Sequence, residues 1–315
     1  MKQTLIIIFG LVLMTGCKEK VQKFIFDSSK MSTMTKYSCK YDSDKLESSK
    51  EISYTIMFGQ IVDSMITVTN YEYDNDGHLK KEISKSDFEE TPFLVIYDYN
   101  SNDSLISKIK ISSEGDTTLR DKYGYFPDGK KTVFQRILTR KIGFSQDFIK
   151  SMADKKFDTI QTVNEYKYEN GLCESMTEFD SRDNPISKVE YDYDNGRIQK
   201  ATFISLHNSM ELTEKIMYYN YSKSKTRPDF YSLDINKDTV DLCVNEFDNK
   251  DIVSTTEVFN YGKIVNKTFY ENGKEIGLVS IDKNVSFKMT EAYSYFENGD
   301  LKETKSYHEE LKNTL

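Results

Sequence analysis

A chain of 315 residues with 43 basic and 51 acidic side chains has a net charge of −8, which argues against nucleic acid and anionic membrane surfaces as partners. Tryptophan is absent while Tyr (22) and Phe (19) are abundant, so any stacking on a sugar would fall to tyrosine. The length admits one large β domain or two smaller ones.

The first 16 residues, MKQTLIIIFGLVLMTG, join a basic residue to an apolar run from Leu5 to Met14. The run is too short for a spanning helix and has the shape of a secretory signal. Its end, Thr-Gly followed by Cys17, resembles a bacterial lipobox, with Met14 in place of the usual Leu. The resemblance implies that Cys17 is lipidated and becomes the new N-terminus, and a multiply acylated Cys holds a protein durably on a membrane. Lys18 stands where enteric lipoproteins retained in the inner membrane carry an acid, so the outer membrane is the expected address, on either of its sides. Residues 17–35 read as a lipid-anchored polar tether with one apolar patch, Phe24-Ile25-Phe26, and 36–315 as a repeat-built all-β domain.

From Cys39 onward, variants of one segment recur. Its physics is plainest in VEYDYDNGRIQKATF, residues 189–203. Strand side chains alternate between faces, so Val189, Tyr191 and Tyr193 share one and Glu190, Asp192 and Asp194 the other. Asn195-Gly196 suits a type I′ hairpin turn, which sets Asp194 opposite Arg197 and Tyr193 opposite Ile198. On that register Gln199 joins the polar face, and Lys200 and Thr202 edge the aromatic one. Relatives of the segment are YEYDNDGHL at 71–79, YDYNSNDSL at 97–105, YGYFPDGKK at 123–131, YKYENGL at 166–172, FYENGKEI at 269–276 and YSYFENGDL at 293–301. Tyr73, Tyr99 and Tyr125 are spaced by 26, as are Tyr221 and Phe247. A fixed period of that length, enough for two strands and two turns, marks a repeat architecture.

The expected fold is therefore all-β: an antiparallel meander of tandem β-hairpins forming a long curved sheet, partly closed as a barrel or folded over as a sandwich. Phe148, Ile149 and Met152, behind a capping Ser145, predict one short helix inserted near 144–156. Lys108 and Lys110 in KIKI fit the protection of an open sheet edge.

The repeated Tyr-x-Tyr-Asp segment resembles the YD repeats of bacterial RHS-type surface proteins, most closely in YDYDNGRI at 191–198. FYENGKEI and YFENGDLKE are similar to the MORN-like repeats of small secreted bacterial proteins. The resemblance covers roughly residues 37–305. It implies an extended all-β scaffold whose repeats carry no catalytic residues.

Motifs for chemistry are sparse. Glu72, Asp74, Asp76 and Gly77 imitate the start of an EF-hand loop, but Ile83 occupies the position of the bidentate Glu, which argues against calcium. His308-Glu309 opens a HExxH-like string that fails at Lys312. His78, His207 and His308 are scattered. No catalytic set, cofactor or metal site is expected. Cys39, Cys173 and Cys243 leave the disulfide state open, and Cys39 shares a predicted face with Tyr37 and Tyr41, as a packed residue would. Five triplets (DSM at 63–65, DSL at 103–105, DTT at 116–118, DTI at 158–160 and DTV at 238–240) resemble the O-glycosylation sequon of exported Bacteroidetes proteins. That likeness implies Ser64, Ser104, Thr117, Thr159 and Thr239 as acceptors. The plainer reading is that Asp-Ser and Asp-Thr suit the turns that open strands.

The functional expectation is a non-enzymatic cell-envelope lipoprotein that binds or scaffolds. The alternative is a carrier holding a lipid or other apolar ligand in the concave face of the sheet, and the remote third a hydrolase with an acidic site. The expected partners are the membrane, through the lipid anchor, and an envelope protein, glycan or apolar ligand.

Overall fold

The computed structural model describes residues 24–141, 157–207, 210–249 and 251–311. The helix expected near 144–156 lies outside the described residues, as does Cys17. Twenty strands follow in chain order: β1 (Thr33–Asp42), β2 (Lys45–Met57), β3 (Gln60–Tyr73), β4 (Leu79–Ser86), β5 (Phe93–Tyr99), β6 (Leu105–Ile111), β7 (Thr117–Tyr125), β8 (Lys131–Lys141), β9 (Phe157–Glu169) and β10 (Leu172–Phe179). The second half comprises β11 (Pro185–Asp194), β12 (Arg197–His207), β13 (Met210–Asn220), β14 (Asp229–Asp234), β15 (Thr239–Asp248), β16 (Asp251–Phe259), β17 (Ile264–Glu271), β18 (Lys274–Asp282), β19 (Phe287–Tyr295) and β20 (Leu301–Glu310).

Each strand pairs antiparallel with the next, and β20 pairs back onto β1 from Thr33↔Ser306 to Lys36↔Glu303. The meander is thus a closed barrel, neither open nor folded over. Following paired residues once around the ring returns to β1 displaced by 20 residues. A shear equal to the strand number tilts the strands by about 36° and gives a radius of about 18 Å. Closure also corrects the expectation for KIKI: β6 pairs on both sides, and Lys108 lies over the Tyr97 ring, 5.4 Å from its centroid. There is no edge there to protect.

Directly paired residues share a face, so one face can be followed around the wall, as from Tyr191 through Ala201, Met217 and Ser232 to Asp241. The tyrosine-bearing face is the less exposed. Tyr71 and Tyr73 are half-buried where Asn70 and Glu72 are exposed, and Tyr191 and Tyr193 half-buried where Glu190 and Asp192 are exposed. Side chains converge inside a barrel and splay outside it. The direction of the register slip, with the right-handed twist of strands, gives the same assignment. The tyrosines line the lumen.

The wall is one layer thick. Strands make their substantial contacts only with their two neighbours. The largest fully buried side chains are Thr290, Asp121, Ser232 and Ser254, none of them a large apolar group. Small side chains are hidden between larger neighbours on the same face, and among the described residues no apolar core fills the lumen. Cohesion rests on the closed hydrogen-bond ladder and on cross-strand pairs.

The hairpin read at 189–203 is present, with Tyr193↔Ile198 and Asp194↔Arg197. Asn195 and Gly196 both have positive φ, 50° and 76°, as a type I′ turn requires. The register beyond Tyr193 differs from expectation. A bulge between Asp192 and Tyr193 shifts the pairing to Asp192↔Lys200 and Tyr191↔Ala201. Lys200 and Thr202 therefore stand on the outer face, and Ala201 and Phe203 point inward. The same bulge precedes Tyr41, Tyr73, Tyr99, Tyr125, Phe247, Tyr270 and Tyr295. It is part of the repeat, and adds local twist next to each turn.

Before β1, residues 24–31 pack on the outside of the wall. Phe24 meets Phe269, ring centroids 5.1 Å apart, and Phe26 meets Tyr307 at 5.2 Å. Gly277 makes room for Phe24, because a Cβ there would collide with that ring. Lys30 reaches Glu309 at 2.7 Å. The folded unit thus includes Phe24 and Phe26 from the segment expected to be tether.

Candidate functional site: the aromatic-lined lumen

The odd-numbered strands all end at one mouth of the barrel, and there the repeat places its aromatics. Tyr73, Tyr99, Tyr125, Tyr168, Tyr193, Phe247, Tyr270 and Tyr295 form an inward girdle just inside the hairpin turns. Tyr71, Tyr97, Tyr123, Tyr166, Tyr191 and Tyr293 form a second tier two residues deeper.

The outer tier is tied into the wall. Tyr73 donates its hydroxyl to the Leu46 carbonyl at 3.1 Å, Tyr125 to Leu105 at 2.8 Å and Tyr193 to Cys173 at 2.9 Å. Each bond latches one hairpin to the preceding one. The Asp or Asn after the second aromatic closes the turn. Asp74 accepts from the amides of Asp76 and His78, and Asn100 from Asn102 and Ser104; Asp180 closes the β10–β11 turn at the opposite mouth in the same way. Such bonds are the reason Asx residues favour turns. Most of the motif is thereby accounted for by architecture.

The inner tier faces polar partners. Tyr97 donates to Glu82 at 2.6 Å and Tyr293 to Glu291 at 2.5 Å. Burial first, and then the carboxylate, raise both phenols well above their ordinary range. Burial alone is the leading cause for Tyr191, pushed up to about 12. Asp121, 2% exposed, is held by both Arg136 nitrogens at 2.8 and 2.9 Å. Lys215 and the Ser232 hydroxyl both bond Asp241 Oδ2, at 2.8 and 2.9 Å. Sequence reasoning missed these pairs. Asp121–Arg136 and Ser232–Asp241 join residues on different strands, and only the bulged register aligns them.

At the aromatic mouth, Asp74, Asp76 and His78 bring ligand atoms within 4.8 Å of one another and could hold a metal ion. Asp74 already serves as the turn closer, and its Oδ2 lies 3.4 Å from His78 Nδ1. The imidazole stacks on Tyr99 at 4.8 Å, and its Nε2 lies 3.4 Å from Asp103. The geometry fits a turn held by internal pairing. His308 is tilted against Phe287 at 5.0 Å, away from this cluster.

The expected acceptor residues do not converge. Ser64 lies within β3, exposed; Ser104 is half-buried in a turn at the aromatic mouth. Thr117 and Thr239 open β7 and β15 at the opposite mouth, half-buried and exposed respectively. Thr159 lies in β9. Cys39, Cys173 and Cys243 are free thiols. Cys243 is buried, which pushes its thiol up to about 11, with Glu257 and Asp229 adding to the effect.

No family model matches the chain, and no curated protein does. Among solved structures, a porin-like protein from Bacteroides uniformis superposes over 90% of this chain and 98% of its own, with 10% identity and a TM-score of 0.32. The TcdB2-TccC3-Cdc42 complex superposes over 84% of this chain and 20% of its own, with 9% identity and a TM-score of 0.19. Likenesses this distant carry no inference about the activity of the chain.

Proposed function

We propose that the chain is a non-enzymatic, lipid-anchored module of the cell envelope whose lumen binds a hydrated, hydroxyl-rich chain such as a glycan. The observation that carries this reading is the girdle of tyrosines interleaved with carboxylates and hydroxyls. Aromatic faces suit the C–H faces of sugars, and the polar groups between them suit their hydroxyls. The lumen of a barrel about 18 Å in radius is open to water, and it carries Asp121, Arg136, Lys215 and Asp241. Those features weigh against the apolar carrier. A shallow cleft of about 230 Å³ between Phe93 and Thr117 is too small to house a lipid chain. Tyr97 and Tyr293 are paired with Glu82 and Glu291, and Asp121 and Asp241 with Arg136 and Lys215, which favours binding over catalysis.

The strands are a poor membrane anchor. A spanning barrel needs an outward apolar band about 25 Å tall, whereas Lys50, Lys122, Lys188 and Lys267 occupy the outer face of β2, β7, β11 and β17. The lipid on Cys17 supplies attachment in this reading. Two measurements test it. Cys17→Ser is expected to abolish lipid labelling and release the protein from membranes; unchanged fractionation refutes the anchor. Calorimetric titration with a panel of soluble oligosaccharides is expected to find a binder whose affinity falls at least tenfold in Tyr123→Ala/Tyr191→Ala. Absence of any binder refutes the glycan.

A further inference from the structure

The two rims of the barrel differ in chemistry. At the aromatic mouth the turns are polar, with Asn195-Gly196, Asn272-Gly273 and the Asp74–His78 turn as examples. Two phenylalanines are partly exposed there, Phe126 and Phe296. At the opposite mouth, large apolar side chains project from the turns and from the strand ends beside them. They are Phe58, Phe88, Met210, Ile235, Tyr261 and Val285, between 54% and 101% exposed. Exposed apolar groups concentrated in one region mark an interaction surface.

Their placement selects the partner. In strand order these positions run from the start of β13, around through the β20–β1 seam, to the turn before β5. They trace an arc around a ring about 36 Å across, set by the radius above, with open lumen inside it. A small globular partner would touch a few of them; a flat surface meets all at once. The arc is centred near β18 and β19, within the patch of outer wall on which residues 24–31 lie. Phe24 packs on Phe269, five residues along β17 from this rim, hence roughly 15 Å above it. Cys17 stands seven positions before Phe24, a span of at most about 24 Å of chain. A lipid on Cys17 therefore reaches the plane of the apolar tips.

We propose that the apolar-tipped rim is a membrane-docking surface: the barrel stands on the bilayer on this arc, with its tyrosine girdle facing away. The proposal rests on the lipid-anchor reading for its choice of partner. The turn tips insert among lipid headgroups as separate wedges, in the manner of interfacial apolar side chains. Docking fixes the tilt of the barrel, which a flexible anchor alone leaves free.

The test uses the chain from residue 17 onward carrying Cys17→Ser, which keeps every described residue and lacks a lipid. Flotation with zwitterionic phosphatidylcholine/phosphatidylethanolamine vesicles, chosen because the net charge of −8 disfavours an anionic surface, is expected to carry this chain upward. The triple variant Phe58→Ser/Phe88→Ser/Ile235→Ser, at sites exposed enough to leave the fold intact, is expected to lose at least tenfold in partitioning. Phe126→Ser/Phe296→Ser, at the other rim, is expected to float as the parent does. Failure of the parent to float, or equal loss in both variants, overturns the proposal. So does a triple variant that loses self-association in sedimentation velocity but not flotation, since the rim would then join copies of the chain. Lipid labelling of the native protein reads the anchor separately: an unlabelled Cys17 removes the anchor without altering the flotation result.

Discussion

The latch between hairpins yields a sharp contrast between two tyrosines on one strand. Tyr193 donates to the Cys173 carbonyl at 2.9 Å in a part-buried setting. Tyr191, two residues deeper on the same face, makes no such bond. Tyr193→Phe removes the donor, leaves the carbonyl without that partner and changes little else. A net hydrogen bond of this kind contributes about 1 kcal/mol. In a chain of this size that lowers Tm by about 2 °C. Tyr191→Phe removes a half-buried hydroxyl that has no partner among the described residues and is expected to be neutral or slightly stabilising. Urea unfolding of the two variants beside the parent, followed by circular dichroism with m held common, measures the difference. Equal losses, or a larger loss at Tyr191, would refute the latch and point to the hydroxyls as a group.

Gly196→Val tests the turn: no atom lies within 4 Å of the added Cβ, so the loss of roughly 1–3 kcal/mol comes from backbone strain at positive φ alone, and an unchanged urea midpoint would contradict the I′ assignment. The buried phenols predict alkaline lability. Tyr191 titrates near 12 in the fold against about 10 unfolded, so the folded chain retains its proton longer; stability is full below pH 10 and falls from there to 12, and a midpoint that rises over that range would contradict the burial. Intact-mass measurement on protein from its native host reads the proposed glycosylation. Sugar increments are expected at the exposed Ser64 and Thr239, and a mass equal to the lipidated polypeptide leaves only the turn reading.

The repeat and its face were legible because both depend on neighbours in sequence. Alternation placed Tyr191 and Tyr193 together, Asn195-Gly196 fixed the turn, and the spacing of Tyr73, Tyr99 and Tyr125 counted the units. The bulge was not legible. It adds a residue to the even strand without changing composition, and so moved Lys200 and Thr202 to the opposite face from the one expected. Closure was hidden for another reason. It depends on tilt and shear accumulated over every strand, and Lys108 in KIKI looks the same on an edge strand as inside a lumen. The Asp121–Arg136 pair spans two strands, and pairing of that kind is visible only once the register is known. The lone apolar residues in turns such as Asp234-Ile235-Asn236 were present in the sequence, but only topology gathers them on one rim.

Closure of the ring is the claim on which the lumen, the two rims and the placement of every site depend. Thr33 and Ser306, on β1 and β20, are paired across the seam with hydroxyl oxygens 2.6 Å apart. Cysteines at both positions, with Cys39, Cys173 and Cys243 replaced by Ser, satisfy the spacing a disulfide needs. Thr35→Cys/Ser53→Cys, across the β1–β2 pair, serves as the reference. Under mild oxidation, peptide mass spectrometry is expected to find the 33–306 cross-link within one chain as readily as the 35–53 cross-link. A 35–53 cross-link without the 33–306 one would mean that the sheet is open and the barrel does not exist.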